Sequence, residues 1–447
     1  MATANNSQKG VEKNLKAATA SKKNAKTPKQ DVTGGGTTGG ENGDSPNNTD
    51  GQRFFAEPPV SVDGRVTLDG KFVNADDSQY YDSPYYKLNK NNVLGFRKTA
   101  DPVFMDLNRV LSENTITKIT EAGQISFHAV GDTGATTLSK FDNTENVSDM
   151  MVADLKLNNG PSFFYHLGDV VYNFGEEDYY YEQFYEPYRS YNAPIFAIPG
   201  NHDGMVFNDT MKSLQAFEEN FCTDGPQKAP HAGTLVRTTM DQPGVYFTLD
   251  APFVSIIGLY SNVLDGYPGG VISSMNGKFP NAGDDQLTFL KNELARLKTK
   301  RSTDPRAIIL AVHHPLFSGD SKNGGSPLMT EDLNTVFKNA GLWPDAILSG
   351  HAHHYERFAY TVNNKEIPCI IAGSGGFNMT PIKNPPAHFQ FPIPGRNDLI
   401  MKEYLPMYGY LDVTVNGKSK TLTITFNSAQ TKDVAGKRNA DSVTVNW

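Results

Sequence analysis

Cysteine is almost absent from this chain: 447 residues contain two, Cys222 and Cys369. Their wide separation excludes a disulfide framework and a Cys-based zinc site and leaves room for one bridge at most. Long apolar runs are missing too. The longest, near residues 253–260 and 307–312, fall far short of the ~20 residues that span a bilayer, and the N-terminus carries lysines but no apolar segment of signal-peptide type. The sequence therefore reads as soluble, with no visible export signal or membrane span, and its compartment stays open.

Aromatic residues are absent from residues 1–53, which hold ten hydrophobic residues, while all 48 Phe, Tyr and Trp lie beyond. Such a segment cannot offset the entropy of its own ordering and is expected to be disordered. Charge divides at the same place. Residues 1–30 have seven Lys against one Glu, or +6, so the chain's −8 leaves −14 on residues 31–447. A body that acidic is no general nucleic-acid binder, because phosphate neutralisation needs clustered Lys and Arg. The basic tail reads as a solvated segment running into a Gly, Thr, Asn and Asp-rich linker. Three divisions are expected: a disordered basic tail and linker over 1–53, an N-terminal extension over 54–120 packing on the body, and a catalytic domain over 121–447.

What is present begins at Gln124, where short apolar runs end in Gly, His or Asp. The runs at 125–130, 163–167, 195–198, 308–312 and 346–348 predict buried strands. Leu287, Leu290, Leu294 and Leu297 recur at helical spacing after Gly283-Asp284, and residues 176–191 read as another helix. Near the C-terminus, 409–415, 421–426 and 442–445 alternate as antiparallel strands, with Asn416-Gly417 as a turn. The order argues an α/β fold, a sheet-on-sheet core with helices outside.

Five motifs sit just beyond five of those strands, where an α/β sheet exposes its functional loops. They are Gly131-Asp132-Thr133-Gly134, Gly168-Asp169-Val170-Val171-Tyr172, Gly200-Asn201-His202-Asp203, His313-His314-Pro315 and Gly350-His351-Ala352-His353. All contribute oxygen or imidazole donors and none a thiolate. A carboxylate can bridge two cations, imidazoles suit borderline ions such as Zn²⁺ or Fe²⁺, and a phenolate needs a strongly acidic ion. Two ions ~3.5–4 Å apart can clamp a phosphate and acidify a water.

In order and content these motifs resemble the five blocks of the calcineurin-like metallophosphoesterases, and within them the purple acid phosphatases. Gly134 stands where most of the superfamily has His, and Tyr172, three residues after Asp169, offers the phenolate that purple acid phosphatases use instead. The stretch from His351 to Arg357 also resembles the plant form of the last block. The resemblance implies a four-layer α/β/β/α sandwich and a dinuclear metal centre. Fe(III) would be held by Asp132, Asp169, Tyr172 and His353, with Asp169 bridging to a divalent ion (Fe, Zn or Mn) held by Asn201, His313 and His351. Asn201 and His202 would contact the phosphate, and His202, oriented by Asp203, would assist the leaving group. Leu310 replaces a frequent Val three residues before His313, and Pro315 aligns His313 with the family ligand, leaving His314 directed elsewhere.

The implied activity is hydrolysis of small phosphate monoesters by a metal-bound hydroxide, as in an acid phosphatase, without nucleic-acid or membrane partners. A phosphodiesterase or nucleotidase on the same fold is one alternative, and a non-catalytic phosphate-binding module another. Plainer roles fit the remaining features. His128 and His166, inside strands, read as core or supporting residues; His231 and His388 read as exposed loop residues, and His354 as a support. The aromatic run from Tyr179 to Tyr191 reads as a buried face whose hydroxyls reach water.

Overall fold

Alternation along single strands lays out the architecture. In the strand at 307–312, Ala307, Ile309 and Ala311 enter one apolar core while Ile308, Leu310 and Val312 enter another, as a two-residue period requires of a strand buried on both faces. The computed structural model describes residues 64–66, 72–74, 99 and 103–447, apart from 136–137, 206–211, 265–268, 321–322, 383–390, 393–394 and 432–434. The tail and linker at 1–53, much of the extension and His388 lie outside the described residues.

Strands β1 (Gly64–Val66) and β2 (Phe72–Asn74) form a two-stranded antiparallel sheet. Two larger sheets follow. Strands β3 (Phe104–Asp106), β7 (Phe247–Ala251), β8 (Val254–Leu259), β9 (Ala307–Val312), β10 (Ala346–Ser349), β11 (Tyr355–Val362), β12 (Lys365–Ala372), β13 (Phe391–Pro392) and β14 (Leu399–Leu405) make a nine-stranded mixed sheet. Its order is β13-β14-β11-β12-β10-β9-β8-β7-β3. The other is six-stranded: β4 (Gln124–Val130), β5 (Phe164–His166) and β6 (Ile195–Ala197) run parallel, and β15 (Gly409–Asn416), β16 (Thr421–Ser428) and β17 (Lys437–Asn446) extend it antiparallel. Its order is β17-β16-β15-β4-β5-β6. The predicted C-terminal strands thus join beside β4, and the turn at Asn416-Gly417 closes a hairpin whose register pairs Asn416 with Thr421.

Phe127, Phe163 and Phe196 from the six-stranded sheet meet Phe247, Ile309 and Leu348 from the nine-stranded sheet in one core. The sheets therefore stack face to face. Helix α1 (Glu113–Ala122) leads into β4; its N-cap Ser112 accepts from Thr115 N–H and it stops at Gly123, at φ 75°, a left-handed position that glycine adopts without a Cβ clash. Helices α2 (Leu138–Asp154), α3 (Asn201–Gly204) and α4 (Gln215–Phe221) follow, then α5 (Asp285–Thr303) and α6 (Pro327–Ala340). Helix α2 packs against β15, and α5 against β8 and α6, which puts helices outside both sheets. This is the α/β architecture that the order of strands and helices predicts, two stacked sheets with helices outside. The predicted leucine stripe holds, with Leu290, Leu294 and Leu297 fully buried on α5.

One expected helix is different. Residues 176–191 form a 3-10 turn at Glu177–Tyr179 and a short π-helix at Tyr181–Tyr185. Glu182, Gln183, Phe184 and Tyr185 are consecutive buried residues, which one amphipathic α-helical face cannot supply, and π-turns of this kind accompany functional sites. Nor do all the hydroxyls reach water: Tyr185 donates to Asn220 Oδ1 at 2.6 Å, and Tyr191 hydrogen-bonds His128 Nδ1 at 3.1 Å.

Candidate metal centre

All five motifs leave the C-terminal ends of their strands. The six-stranded sheet supplies Asp132 after β4, Asp169 and Tyr172 after β5, and Asn201 and His202 after β6; the nine-stranded sheet supplies His313 after β9 and His351 and His353 after β10. Asp132, Asp169 and His351 have φ of 58°, 54° and 70°, left-handed values that cost non-glycine residues ~1–2 kcal/mol each and cluster at functional sites. Close approach explains two glycines. A Cβ on Gly200 would lie 2.0 Å from Asp169 Oδ1, and one on Gly350 2.5 Å from Asp132 Oδ2.

The side chains converge in two overlapping groups. In the first, Tyr172 Oη donates toward Asp132 Oδ1 at 3.0 Å and Asp169 Oδ2 at 3.1 Å, with His353 Nε2 at 3.4 Å from both Tyr172 Oη and Asp132 Oδ1. In the second, Asn201 Oδ1 lies 3.2 Å from His313 Nε2 and 2.9 Å from His351 Nδ1, and His313 Nε2 lies 3.3 Å from Asp169 Oδ2. The same Asp169 oxygen belongs to both groups. Its other oxygen is committed, accepting His202 N–H at 2.9 Å, and Asp132 Oδ2 accepts His351 N–H at 2.9 Å.

Backbone carbonyls fix which nitrogens face inward. His313 Nδ1–H donates to Leu167 O at 2.8 Å and His353 Nδ1–H to Asn378 O at 2.7 Å, so in the neutral rings both Nε2 atoms present lone pairs. Those lone pairs face Asn201 Oδ1 and Asp132 Oδ1, acceptor against acceptor in a buried site. A cation between them removes the conflict, and bonds of ~2.0–2.2 Å set neighbouring donors roughly 3 Å apart, the spacing found here. The residues present fit two metal ions.

The electrostatics show that this site draws positive charge, a proton on His313 when no other cation is there. Burial pushes His313 down, but the Asp169 carboxylate outweighs it and takes the ring up to about 9. Burial would raise Asp169, but His313 and His202 hold it well below the usual carboxylate range. Burial, with Asp132 and Asp169 adding to it, drives the Tyr172 phenol well above its ordinary value. Without a cation, that proton stays on the phenol.

His202 is half-buried, its ring 4.4 Å from that of Tyr172. It pairs through Nδ1 with the Asn173 carbonyl at 2.7 Å, and Nε2 has no hydrogen-bond partner among the described residues. Asp203, expected to orient it, does something else: its carboxylate accepts the N–H groups of Val170, Val171 and Gly200 at 2.8–3.2 Å, stapling two ligand loops together. Burial and the Asp169 charge raise Asp203 to about 7. Sequence reasoning missed Asn173, because a carbonyl contact leaves no trace in residue type. It also missed Gln183 on the π-helix, whose amide takes Tyr172 N–H at 2.9 Å and gives to Tyr172 O at 2.8 Å. Phe377 stacks on Tyr172 at 3.6 Å.

Other histidines have plainer partners. His166 holds Thr133 Oγ1 and Gly168 N–H; His314 bonds Ser261 Oγ at 2.7 Å; His354 bridges the Thr380 carbonyl and Glu356. His128 packs between Tyr191 and Tyr410, 3.4 Å from Asp154. His231 is not an exposed loop residue: it is half-buried, and Asn220 Nδ2 donates to its Nδ1 at 2.8 Å. That leaves Nε2–H aimed at Glu177 and Glu219, 3.6 and 3.7 Å away, a donor toward carboxylates rather than a lone pair for a metal. Both cysteines are buried and free.

The sequence model of the calcineurin-like phosphoesterase family matches residues 125–355, more than half of the chain. The chain belongs to the calcineurin-like phosphoesterases. Members of this family hydrolyse small phosphoric esters and bind two metal ions. The chain is 34% identical over 114 residues to purple acid phosphatase 22 of Arabidopsis thaliana, covering 24% of this chain and 25% of that protein. It thus spans about a quarter of that relative's length. Similar solved structures include GAP50, described as the anchor in the inner membrane complex of Plasmodium (TM-score 0.48, 13% identity, 72% of this chain and 89% of that one). A dimetal phosphatase from Danio rerio is another (TM-score 0.41, 11% identity, 72% and 99%). No helix among the described residues is long and apolar enough to cross a membrane.

Proposed function

We propose that this phosphoesterase is a dinuclear phosphatase of purple acid phosphatase type that hydrolyses phosphate monoesters. The observation that carries the reading is the pair of donor groups sharing Asp169 Oδ2, one of them containing a tyrosine hydroxyl. Asp132, Asp169, Tyr172 and His353 hold Fe(III); Asp169, Asn201, His313 and His351 hold a divalent ion. The anionic set suits the harder, more highly charged ion and the amide and imidazoles the divalent one. Residues 121–447 act as one catalytic body. When bound, two such ions polarise the phosphoryl oxygens and acidify a water.

The protein's own groups do the rest. The Leu167 and Asn378 carbonyls keep two imidazoles turned inward, and Gln183 fixes the main chain of Tyr172. Asn201 and His202 contact the phosphate. The Asn173 carbonyl holds Nδ1–H of His202, so Nε2 carries a proton to give to the leaving oxygen only in the imidazolium. Burial lowers the pKa of His202, which places that form on the acid side.

Metal analysis with a visible spectrum tests the assignment. Purified oxidised protein should carry two metals per chain and a tyrosinate-to-iron absorption band that Tyr172→Phe abolishes. A colourless, fully active protein overturns the iron assignment. Rates on an aryl phosphate monoester and its matching diester should differ at least tenfold in favour of the monoester; the reverse order makes it a diesterase.

A further inference from the structure

A second cavity, of about 660 Å³, opens at the far end of β6 from the metal centre. Ile195 and Phe196 at the start of that strand line it, whereas Asn201 and His202 follow the strand's other end, up to about 20 Å away along extended chain. Three arginines enter this cavity: Arg109, Arg189 and Arg237. Two are matched by carboxylates, Arg109 by Asp241 at 2.6 Å and Arg189 by Glu186 at 2.7 Å.

Arg237 is not. Its guanidinium donates to two main-chain carbonyls, Tyr188 O at 2.6 Å and Tyr191 O at 3.3 Å, and no carboxylate pairs with it among the described residues. A guanidinium has five N–H donors in a planar fork, and only two of those of Arg237 are used in these bonds. Leu235, Val236, Pro226 and Val110 give the lining an apolar part, with Val236 fully exposed, and its one carboxylate, Asp241, is taken up by Arg109. On a chain whose body carries −14, an unpaired cation held in a concave, half-apolar site is out of keeping with its surroundings. Pockets for small molecules likewise combine apolar surface with fixed polar groups that orient the ligand.

We infer that this cavity binds a small organic acid, with its carboxylate, sulfonate or phosphate on Arg237 and its apolar body against Leu235 and Val236. The site is separate from the metal centre and does not depend on the phosphatase reading. Burial pulls the Arg237 pKa down, as expected of a cation lacking its anion, and an incoming anion relieves that cost.

The probe is 8-anilinonaphthalene-1-sulfonate, an amphiphilic anion whose fluorescence rises on burial, titrated into the purified full-length protein. Saturable binding of one molecule per chain is expected. Val236→Glu adds a negative charge at an exposed position without disturbing packing, and should raise Kd at least tenfold; Arg237→Met should do the same. Asp169→Ala, which damages the metal centre, should leave Kd unchanged. A Kd for Val236→Glu within twofold of the parent's overturns the inference, whether or not Arg237→Met folds. So does loss of binding in Asp169→Ala, which would place the probe on the metals.

Discussion

Buried carboxylates occur at both ends of the parallel strands, and the two ends treat them in opposite ways. At the end away from the motifs, Asp250 is met by Arg296 at 2.8 Å, Lys300 at 2.9 Å and Arg306 at 3.6 Å, and Asp345 by Arg301 at 3.1 Å and Lys365 at 2.5 Å. At the motif end, Asp132 and Asp169 are fully buried without a Lys or Arg within ion-pair distance among the described residues. Their neighbours are imidazoles, an amide and a phenol. A buried charge needs a partner. One end builds it from the chain; the other assembles lone pairs and leaves the positive charge to come from outside.

The sharpest way to break this contrast is to remove the shared oxygen. Asp169→Ala should lower phosphatase turnover by at least about 10³-fold, roughly 4 kcal/mol, and deplete both metals by elemental analysis. Retained metal and activity would refute the bridging role. Next in size, His202→Ala should lower kcat by about 10²-fold or more with metal content unchanged, and its pH–rate profile should lose the fall on the alkaline side. An unaltered profile would remove His202 from the proton path.

Asp250→Ala tests the opposite end. It removes the carboxylate shared by Arg296, Lys300 and Arg306, of which Arg296 keeps Glu293 and Arg306 keeps Asp304, and should cost about 2 kcal/mol of unfolding free energy while leaving activity per folded molecule intact, measured by urea denaturation beside a phosphate-release assay. The smallest effect lies at Asp154. Burial raises its pKa, but His128, Arg438 and Tyr410 more than offset this and take it down to about 2. The ionised form is therefore favoured in the folded state. Its contribution is complete above about pH 4 and fades as pH falls toward 2. With Arg438 half exposed, that contribution is roughly 1–2 kcal/mol after screening; Arg438→Ala should reduce the loss of stability between pH 5 and pH 2.5.

The sequence made the motif end legible and the other end not. Asp132, Asp169, Asn201, His313, His351 and His353 follow glycine-punctuated strands in a fixed order, so residue type and position carry the signal together. Asp250 and Asp345 sit in no motif; their charged partners lie 20 residues away for Lys365, 44 for Arg301, 46 for Arg296 and 50 for Lys300, and only folding brings them close. The strands were readable because burial on both faces writes continuous apolar runs. The π-turn at Tyr181–Tyr185 was not, since its aromatic spacing imitates a helix while four consecutive residues are buried. The role of Asp203 was misjudged because adjacency to His202 in sequence says nothing about which N–H groups its carboxylate meets.

The division of donors between sheets has a thermodynamic consequence. On the proposed assignment Asp132, Asp169, Tyr172 and Asn201 belong to one sheet and His313, His351 and His353 to the other, so neither sheet alone offers a complete site for either ion. Metal affinity and the docking of the two sheets are then linked equilibria. The ions act as a clasp across the central core, and whatever loosens the interface around Phe127, Phe247 and Ile309 weakens metal retention, however far it lies from the ligands.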